Sequence, residues 1–243
     1  LGGADQITVH LREDRRHIQE RDLRLLRQTA QTPLNLELAL GEDVIRIALD
    51  ARPNVVTLVP ERRQEVTTEG GLDVVAGLEG VRAAVQRFRE AGIEVSLFID
   101  PDTAQVAAAQ KSGATRVELH TGAFAHASAP LGGPPERGEP SLPALDMSAA
   151  RGVAPGSDRR ASRRRATPMD VAFEVERLGR AGALAHELGL HLALGHGLDY
   201  RNVLLVRDLP WVEEMNIGHS LVSRAVYVGL REAVREMKRL LGG

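Results

Sequence analysis

Seven short apolar runs punctuate this chain, and stretches with helical spacing lie between them. The runs are Ile7 to Leu11, Leu34 to Leu38, Val55 to Val59, Val95 to Ile99, Arg116 to His120, His191 to Leu194 and Met215 to Ile217. Each is brief and largely apolar on both faces, the pattern of parallel strands covered on both sides. Between them, Val74, Leu78, Val81, Val85 and Phe88 recur at three and four residues, and Gly92 follows as a stop. Thr167, Pro168 and Asp170 read as an N-cap, a first helical residue and a first-turn acid. That helix buries Val171, Val175, Leu178 and Leu188 and ends at Gly189, and a last helix uses Val226, Leu230, Val234, Met237 and Leu241. Strand and helix alternate throughout, so the class is α/β. Seven units fall one short of a closed eight-stranded barrel, and an open doubly wound sheet competes. The polar ends of nearly all the strands favour the barrel, which aims every strand at one central site.

At 243 residues the chain can bury a large core, and residues 1–243 are read as a single barrel domain. A formal net charge of −2 gives no broad nucleic-acid or membrane footprint. No run approaches the roughly 18 apolar residues of a membrane span. Cysteine is absent, which removes disulfide and thiol chemistry and fits a cytoplasmic location. Lys111 and Lys238 are the only lysines, and both fall in helical patterns. A lysine Schiff base at a strand end is therefore excluded, and with it a lysine-type aldolase or bound pyridoxal phosphate.

The stretch from His126 to Thr167 breaks the rhythm. It holds half of the twelve prolines and the basic run Arg159-Arg160-Ala161-Ser162-Arg163-Arg164-Arg165. Such a composition forms no core, so residues 126–167 are expected to be a disordered insertion.

His10, Glu37, His120 and His196 stand at or just after strand ends, the catalytic face of a parallel barrel. Glu37 lies between Leu36 and Leu38, so its side chain points opposite to theirs, toward the barrel centre or mouth. A carboxylate there is costly unless it is paired or functional. Gly195-His196-Gly197 and Gly218-His219 end the last two strands, where backbone N–H groups can approach a phosphate closely. Arg12 and His17 could hold a second anion. The polar loop from Pro60 to Gly71 could close over a ligand, with Thr67 donating a hydroxyl. No close-spaced pair such as His-x-His occurs, so a metal site is not expected.

The runs from Ile7 to Ile18, Asn35-Leu36-Glu37, Leu58 to Glu61 and Arg63 to Val74 together resemble pyridoxine 5′-phosphate synthases of the deoxyxylulose-phosphate-dependent vitamin B6 route. The likeness continues through Val95 to Asp100, Glu118 to Gly122, Gly195 to Leu198 and Asn216 to His219. The resemblance implies a (β/α)8 barrel that needs no metal or organic cofactor and assembles as a homo-oligomer. It implies condensation of 3-amino-2-oxopropyl phosphate with 1-deoxy-D-xylulose 5-phosphate to give pyridoxine 5′-phosphate, phosphate and water. The implied partners are small-molecule phosphates, not nucleic acid or membrane. By resemblance His10 and Glu37 accept protons, His196 donates one, and Glu118 supports them in the same pocket. Arg12, His17 and Thr67 hold the deoxyxylulose phosphate, while Gly197, Gly218 and His219 hold the amino-ketone phosphate.

The family begins with a strand and helix before the Gly-Ala-Asp that appears here as Gly3-Ala4-Asp5. Seven of the eight strand–helix units are therefore expected, with the strands at Ile7 and Met215 left as unpaired edges. Coding sequence for the first unit is expected upstream. Two alternatives stand beside the synthase: an impaired barrel that only binds phosphate ligands, and a different sugar-phosphate isomerase or lyase.

Overall fold

The structure, a computed structural model, describes residues 2–61, 70–129 and 167–242. Seven parallel strands form one sheet in chain order: β1 (Ile7–His10), β2 (Leu34–Leu38), β3 (Val55–Leu58), β4 (Glu94–Ile99), β5 (Arg116–His120), β6 (His191–Gly195) and β7 (Val212–Asn216). Between and after them lie α1 (Glu20–Thr29), α2 (Glu42–Ala51), α3 (Leu78–Glu90), α4 (Thr103–Ser112), α5 (Gly122–Ser128), α6 (Pro168–Glu187), α7 (His219–Val228) and α8 (Leu230–Leu240). The consecutive strand order is that of a barrel, not of a doubly wound sheet, whose order reverses at a switch point. The result is a curled, TIM-barrel-like α/β sheet. All seven expected strands are present. The last is shifted to begin at Val212, with a register irregularity between Leu192 and Ala193 where it pairs with β6.

The two faces of the sheet differ in chemistry. Leu34, Leu36, Leu38, Val56, Leu58, Val95, Leu97, Ile99, Val117, Leu119, Leu192 and Leu194 join one apolar core with helix residues such as Val44, Val81, Phe88, Val106 and Ala185. The alternate positions face the concave side, and there the chain places Asn35, Glu37, Thr57, Ser96, Phe98, Glu118 and Gly195. Barrel interiors are ordinarily filled by layers of branched apolar side chains. This one is polar and self-paired, with Thr57 donating to Asn35 at 2.9 Å and Arg116 bound to Glu94 at 2.9 Å and Glu214 at 2.8 Å.

No hydrogen-bonded ladder joins β7 to β1 among the described residues, so both strands are sheet edges. Side chains bridge them: Gln6 Nε2 donates to Glu214 Oε1 at 3.0 Å, and Thr8 Oγ1 donates to Asn216 Oδ1 at 3.0 Å.

The helix ends follow the sequence signals closely. Thr167 and Asp170 form a reciprocal capping box with Pro168 in the first turn, and α6 stops before Gly189, whose φ is +72°. Two expectations need correction. Helix α5 runs to Ser128, so the stretch read as an insertion from His126 begins within a helix. Residues 130–166 lie outside the described residues. The single C-terminal helix is two, because Gly229 adopts φ +79° and ψ 151°, which breaks the helix after Val228. Its consequence is that Val226 and Leu230 are exposed, at 79% and 61%, while Met237 is buried.

This division predicts unequal effects along one apparent apolar stripe. Met237→Ala should cost about 2 to 5 kcal/mol of stability, whereas Val226→Ala should stay within about 0.5 kcal/mol, as read by urea denaturation. Equal losses at both positions would contradict the break.

Candidate functional site

The site forms where the C-terminal ends of β1, β2, β5 and β6 meet. Their register carries it: His10 pairs with Glu37, and His120 pairs with Gly195 immediately before His196. Ligating atoms of Glu37, Glu118 and His196 all lie within 4.8 Å of one another. Glu37 Oε2 is 3.8 Å from His10 Nδ1. The four residues expected to carry the chemistry are therefore in one place, three on strands and His196 just past the end of a fourth.

Glu118 is the most buried of them, at 1% exposure. Its Oε2 accepts a hydrogen bond from Asn216 Nδ2 at 2.9 Å, and its Oε1 has no hydrogen-bond partner among the described residues. Burial, and then the neighbouring Glu37 and Glu214 charges, hold its carboxyl well above the usual range. Burial thus favours the protonated form of Glu118. Glu37, 14% exposed at its side chain, is pushed up from 4.5 to about 7 by burial. His10 is lowered from 6.5 to about 4, by burial first and then by Arg12, His196 and His17. The site therefore combines a carboxyl biased toward its protonated form, a carboxyl that titrates near neutrality and an imidazole biased toward its neutral form.

His196 takes a left-handed backbone, φ +72°, which is unusual outside glycine. Its carbonyl meets the Thr121 hydroxyl, which also lies 2.8 Å from the Gly195 carbonyl. Its ring centroid lies 4.4 Å from that of Phe98 and 5.7 Å, edge-on, from that of His120. His120 is held in turn by Asp100 at 3.1 Å, and Asp100 accepts the Gly71 N–H at 3.0 Å. Strand-end position had singled out His120 without a role; here it braces His196.

The residues expected to contact anions lie in two groups. Arg12 is buried beside His10, while His17 is exposed yet near enough to act on the His10 charge. Gly197 (φ +81°), Gly218 and His219 are exposed at the mouth. Gly218 caps α7, and Ser220 Oγ donates to the Leu198 carbonyl at 2.9 Å, tying the loop after β6 to that helix start. A helix N-terminus beside a glycine loop suits an anion. Thr67 falls in residues 62–69, outside the described residues.

Three residues were missed. Glu61 reaches back to Arg12 at 3.4 Å and His10 at 3.6 Å. Asn216 fixes Glu118, and Asp100 fixes His120. Asn216 and Asp100 lay inside quoted motifs, so the period-two rule for inward positions could have found Asn216. The absence of a His-x-His pair was also a poor guide to metals. Glu37 and Glu118 come from two strands and His196 from the turn after a third, and two carboxylates with an imidazole are a donor set that could hold a divalent cation.

The sequence profile described as pyridoxal phosphate biosynthesis protein PdxJ matches residues 1–243. The pyridoxine 5′-phosphate synthase of Geotalea daltonii is 48% identical over 241 residues, covering 99% of this chain and 85% of the relative. That of Geobacter sulfurreducens is likewise 48% identical over 241 residues, with the same coverage of 99% and 85%. Among solved structures, 3-keto-L-gulonate-6-phosphate decarboxylase from Vibrio cholerae aligns with a TM-score of 0.59 at 14% identity, covering 98% of this chain and 85% of that one. Phosphoribosyl anthranilate isomerase from Thermus thermophilus aligns at 0.53 and 16%, covering 99% and 89%. At these identities the structural likenesses speak for the fold alone.

Two measurements test the site. A Cβ at Gly195 would lie 1.7 Å from Glu118 Oε1. Gly195→Ala should therefore cost about 1 to 3 kcal/mol and dislodge Glu118; unchanged stability would mean that Glu118 is not held against that backbone. The second concerns pH. A carboxyl raised from 4.5 to about 7 contributes stability fully below pH 4.5 and loses it as pH rises through 7. A histidine lowered from 6.5 to about 4 contributes fully above pH 6.5 and loses it as pH falls through 4. Glu37→Gln should thus gain on the parent chain as pH rises from 4.5 to 8, by up to about 3 kcal/mol. A difference independent of pH would refute the raised carboxyl.

Proposed function

Because this chain belongs to the family of pyridoxal phosphate biosynthesis protein PdxJ, we propose that it condenses 3-amino-2-oxopropyl phosphate with 1-deoxy-D-xylulose 5-phosphate to form pyridoxine 5′-phosphate, releasing phosphate and water. The chain is an enzyme of the pyridoxine 5′-phosphate synthase kind. The observation that carries the finer reading is the convergence of Glu37, Glu118 and His196 within 4.8 Å, with His10 against Glu37.

Ring closure passes through imine formation, dehydration, loss of phosphate and aromatisation, each of which moves a proton. Glu37, at about 7, takes and returns protons at neutral pH. His10, neutral above about 4, is a second acceptor whose Nδ1 faces Glu37. His196, held at the mouth by Phe98 and Thr121, is the donor. Glu118 offers the hydrogen of its protonated carboxyl to oxygen charge that develops on the substrate, and its Oε1 is uncommitted among the described residues. Arg12, His17 and Thr67 take the deoxyxylulose phosphate. Gly197, Gly218 and His219 take the amino-ketone phosphate at the start of α7.

A cytoplasmic location and a homo-oligomer complete the proposal. Exposed Val222, Val226, Tyr227 and Leu230 along α7 and the start of α8 support a contact surface between copies. No described helix is long and apolar enough to cross a membrane.

The edges β1 and β7, bridged only by side chains among the described residues, favour a second reading: a barrel that binds phosphate esters without closing the ring. Incubation of the purified chain with both substrates, followed by chromatography of pyridoxine 5′-phosphate, separates the two. Product is expected, and Glu37→Gln should lower kcat by about 100-fold or more. Saturable binding without product would establish the second reading, and full activity in Glu37→Gln would remove Glu37 from the chemistry.

A further inference from the structure

Glu61 stands where a substrate phosphate should go. Its side chain is 4% exposed, and that of Arg12 is 5% exposed. The carboxylate lies 3.4 Å from the Arg12 guanidinium and 3.6 Å from His10 Nε2, and it accepts the Glu13 N–H at 3.1 and 3.3 Å. A guanidinium, an imidazole and a backbone N–H around one anion are the donor set of a phosphate site.

The fit is loose. Charge-assisted hydrogen bonds close to about 2.7–2.9 Å where nothing prevents it. Arg87 with Glu42 and Arg224 with Glu236 both reach 2.7 Å in this chain, although they are exposed and compete with water. Glu61, sheltered from water, stays more than half an ångström farther from its guanidinium. A tetrahedral, three-oxygen anion can meet a guanidinium, an imidazole and a backbone N–H together, which a planar carboxylate does less well. Burial also outweighs Arg12 and holds the Glu61 carboxyl above its ordinary value, so the pairing is not a tight one. Asp14, on the other side of Arg12 at 3.4 Å, is committed to Arg16 at 2.6 Å. Of Asp14 and Glu61, Glu61 is the one that can leave at less cost.

We propose that Glu61 is a displaceable internal anion: its carboxylate holds the Arg12 subsite, and a phosphate ester enters by exchanging with it. The exchange sets a threshold for entry, since a ligand must carry an anion that outcompetes a carboxylate already in place. It rests on the reading above, in which Arg12 is a phosphate contact, and it adds the residue that competes there.

Sulfate is the probe, because its charge is constant near neutrality. Its affinity for the full chain is measured by calorimetry at fixed ionic strength. Glu61→Gln keeps a carbonyl to accept the Glu13 N–H and removes the charge, so it should bind sulfate about tenfold more tightly than the parent chain. In an Arg12→Gln background the same substitution should change nothing. Circular dichroism establishes that each variant is folded. Should Glu61→Gln fail to fold, Glu61→Asp, drawn back by one methylene, should show a smaller gain. Equal or weaker sulfate binding in the folded Glu61 variant overturns the exchange, as does the absence of measurable binding in both forms. Sulfate binding needs no turnover. A chain that forms no product yet shows the Glu61 effect loses the reaction and keeps the subsite; an active chain without the effect loses only the exchange.

Discussion

A carboxyl group sealed into the middle of a sheet is the constraint on which the rest of this molecule turns. Glu118 sits on β5 at 1% exposure, with Glu37 on β2 and Glu214 on β7 as acidic neighbours. Ionised, it would be a buried charge among like charges, which proteins avoid by retaining the proton. Several otherwise separate features follow. Position 195 must lack a side chain, because a Cβ there would strike Glu118 Oε1. Asn216 must present its amide to Oε2. Glu37, buried beside it, is raised by that burial to about 7, the range in which a base can also return the proton it takes. A polar interior is therefore bound up with the chemistry, and the apolar stabilisation comes almost entirely from the other face, where helices cover Leu36, Leu97, Leu119 and their neighbours.

The architecture was legible because its signal is periodic and strong. Runs apolar on both faces, spaced by helical stretches, admit few arrangements other than a parallel sheet wrapped in helices, and every expected strand is present. Glu37 was legible for a related reason: a carboxylate between two leucines in such a run has to point away from the helices. Glu61, Asn216 and Asp100 were not assigned roles, because theirs are set by partners far away in sequence. Glu61 meets Glu13 across 48 residues, and Asn216 meets Glu118 across 98. Spacing along one strand reports which face a residue takes; it does not report which residue of another strand waits there. The same limit hid the Glu37–Glu118–His196 cluster from any test based on neighbouring ligands.

The C-terminal correction has a different physical origin. Val226, Leu230, Val234, Met237 and Leu241 fit one helical stripe in the sequence. A single glycine with φ +79° redirects the chain, so that the first two residues of the stripe face away from the core and Met237 faces into it. Hydrophobic periodicity gives the phase of a helix only while the helix is unbroken. Gly229 is therefore the more informative residue of that segment, and the apolar face it turns outward is the surface on which the proposal of a homo-oligomer rests.

Closure of the sheet and placement of the buried carboxyl depend on one polar network. Thr8 on β1 donates to Asn216 Oδ1, while Nδ2 of the same amide contacts Glu118 and, at 3.0 Å, Glu214. Gln6, preceding β1, donates to Glu214 as well, and Arg116 on β5 binds the other oxygen of that carboxylate. Backbone ladders set the other six strand contacts with no reference to the site. At the β1–β7 edge, side chains do that work, and they are the side chains that orient Glu118. A disturbance at this edge would therefore reach the reacting groups directly, through two hydrogen bonds, whereas the same disturbance between β3 and β4 would be absorbed by the ladder. The edge that leaves the barrel least secure is also the one most tightly coupled to its chemistry.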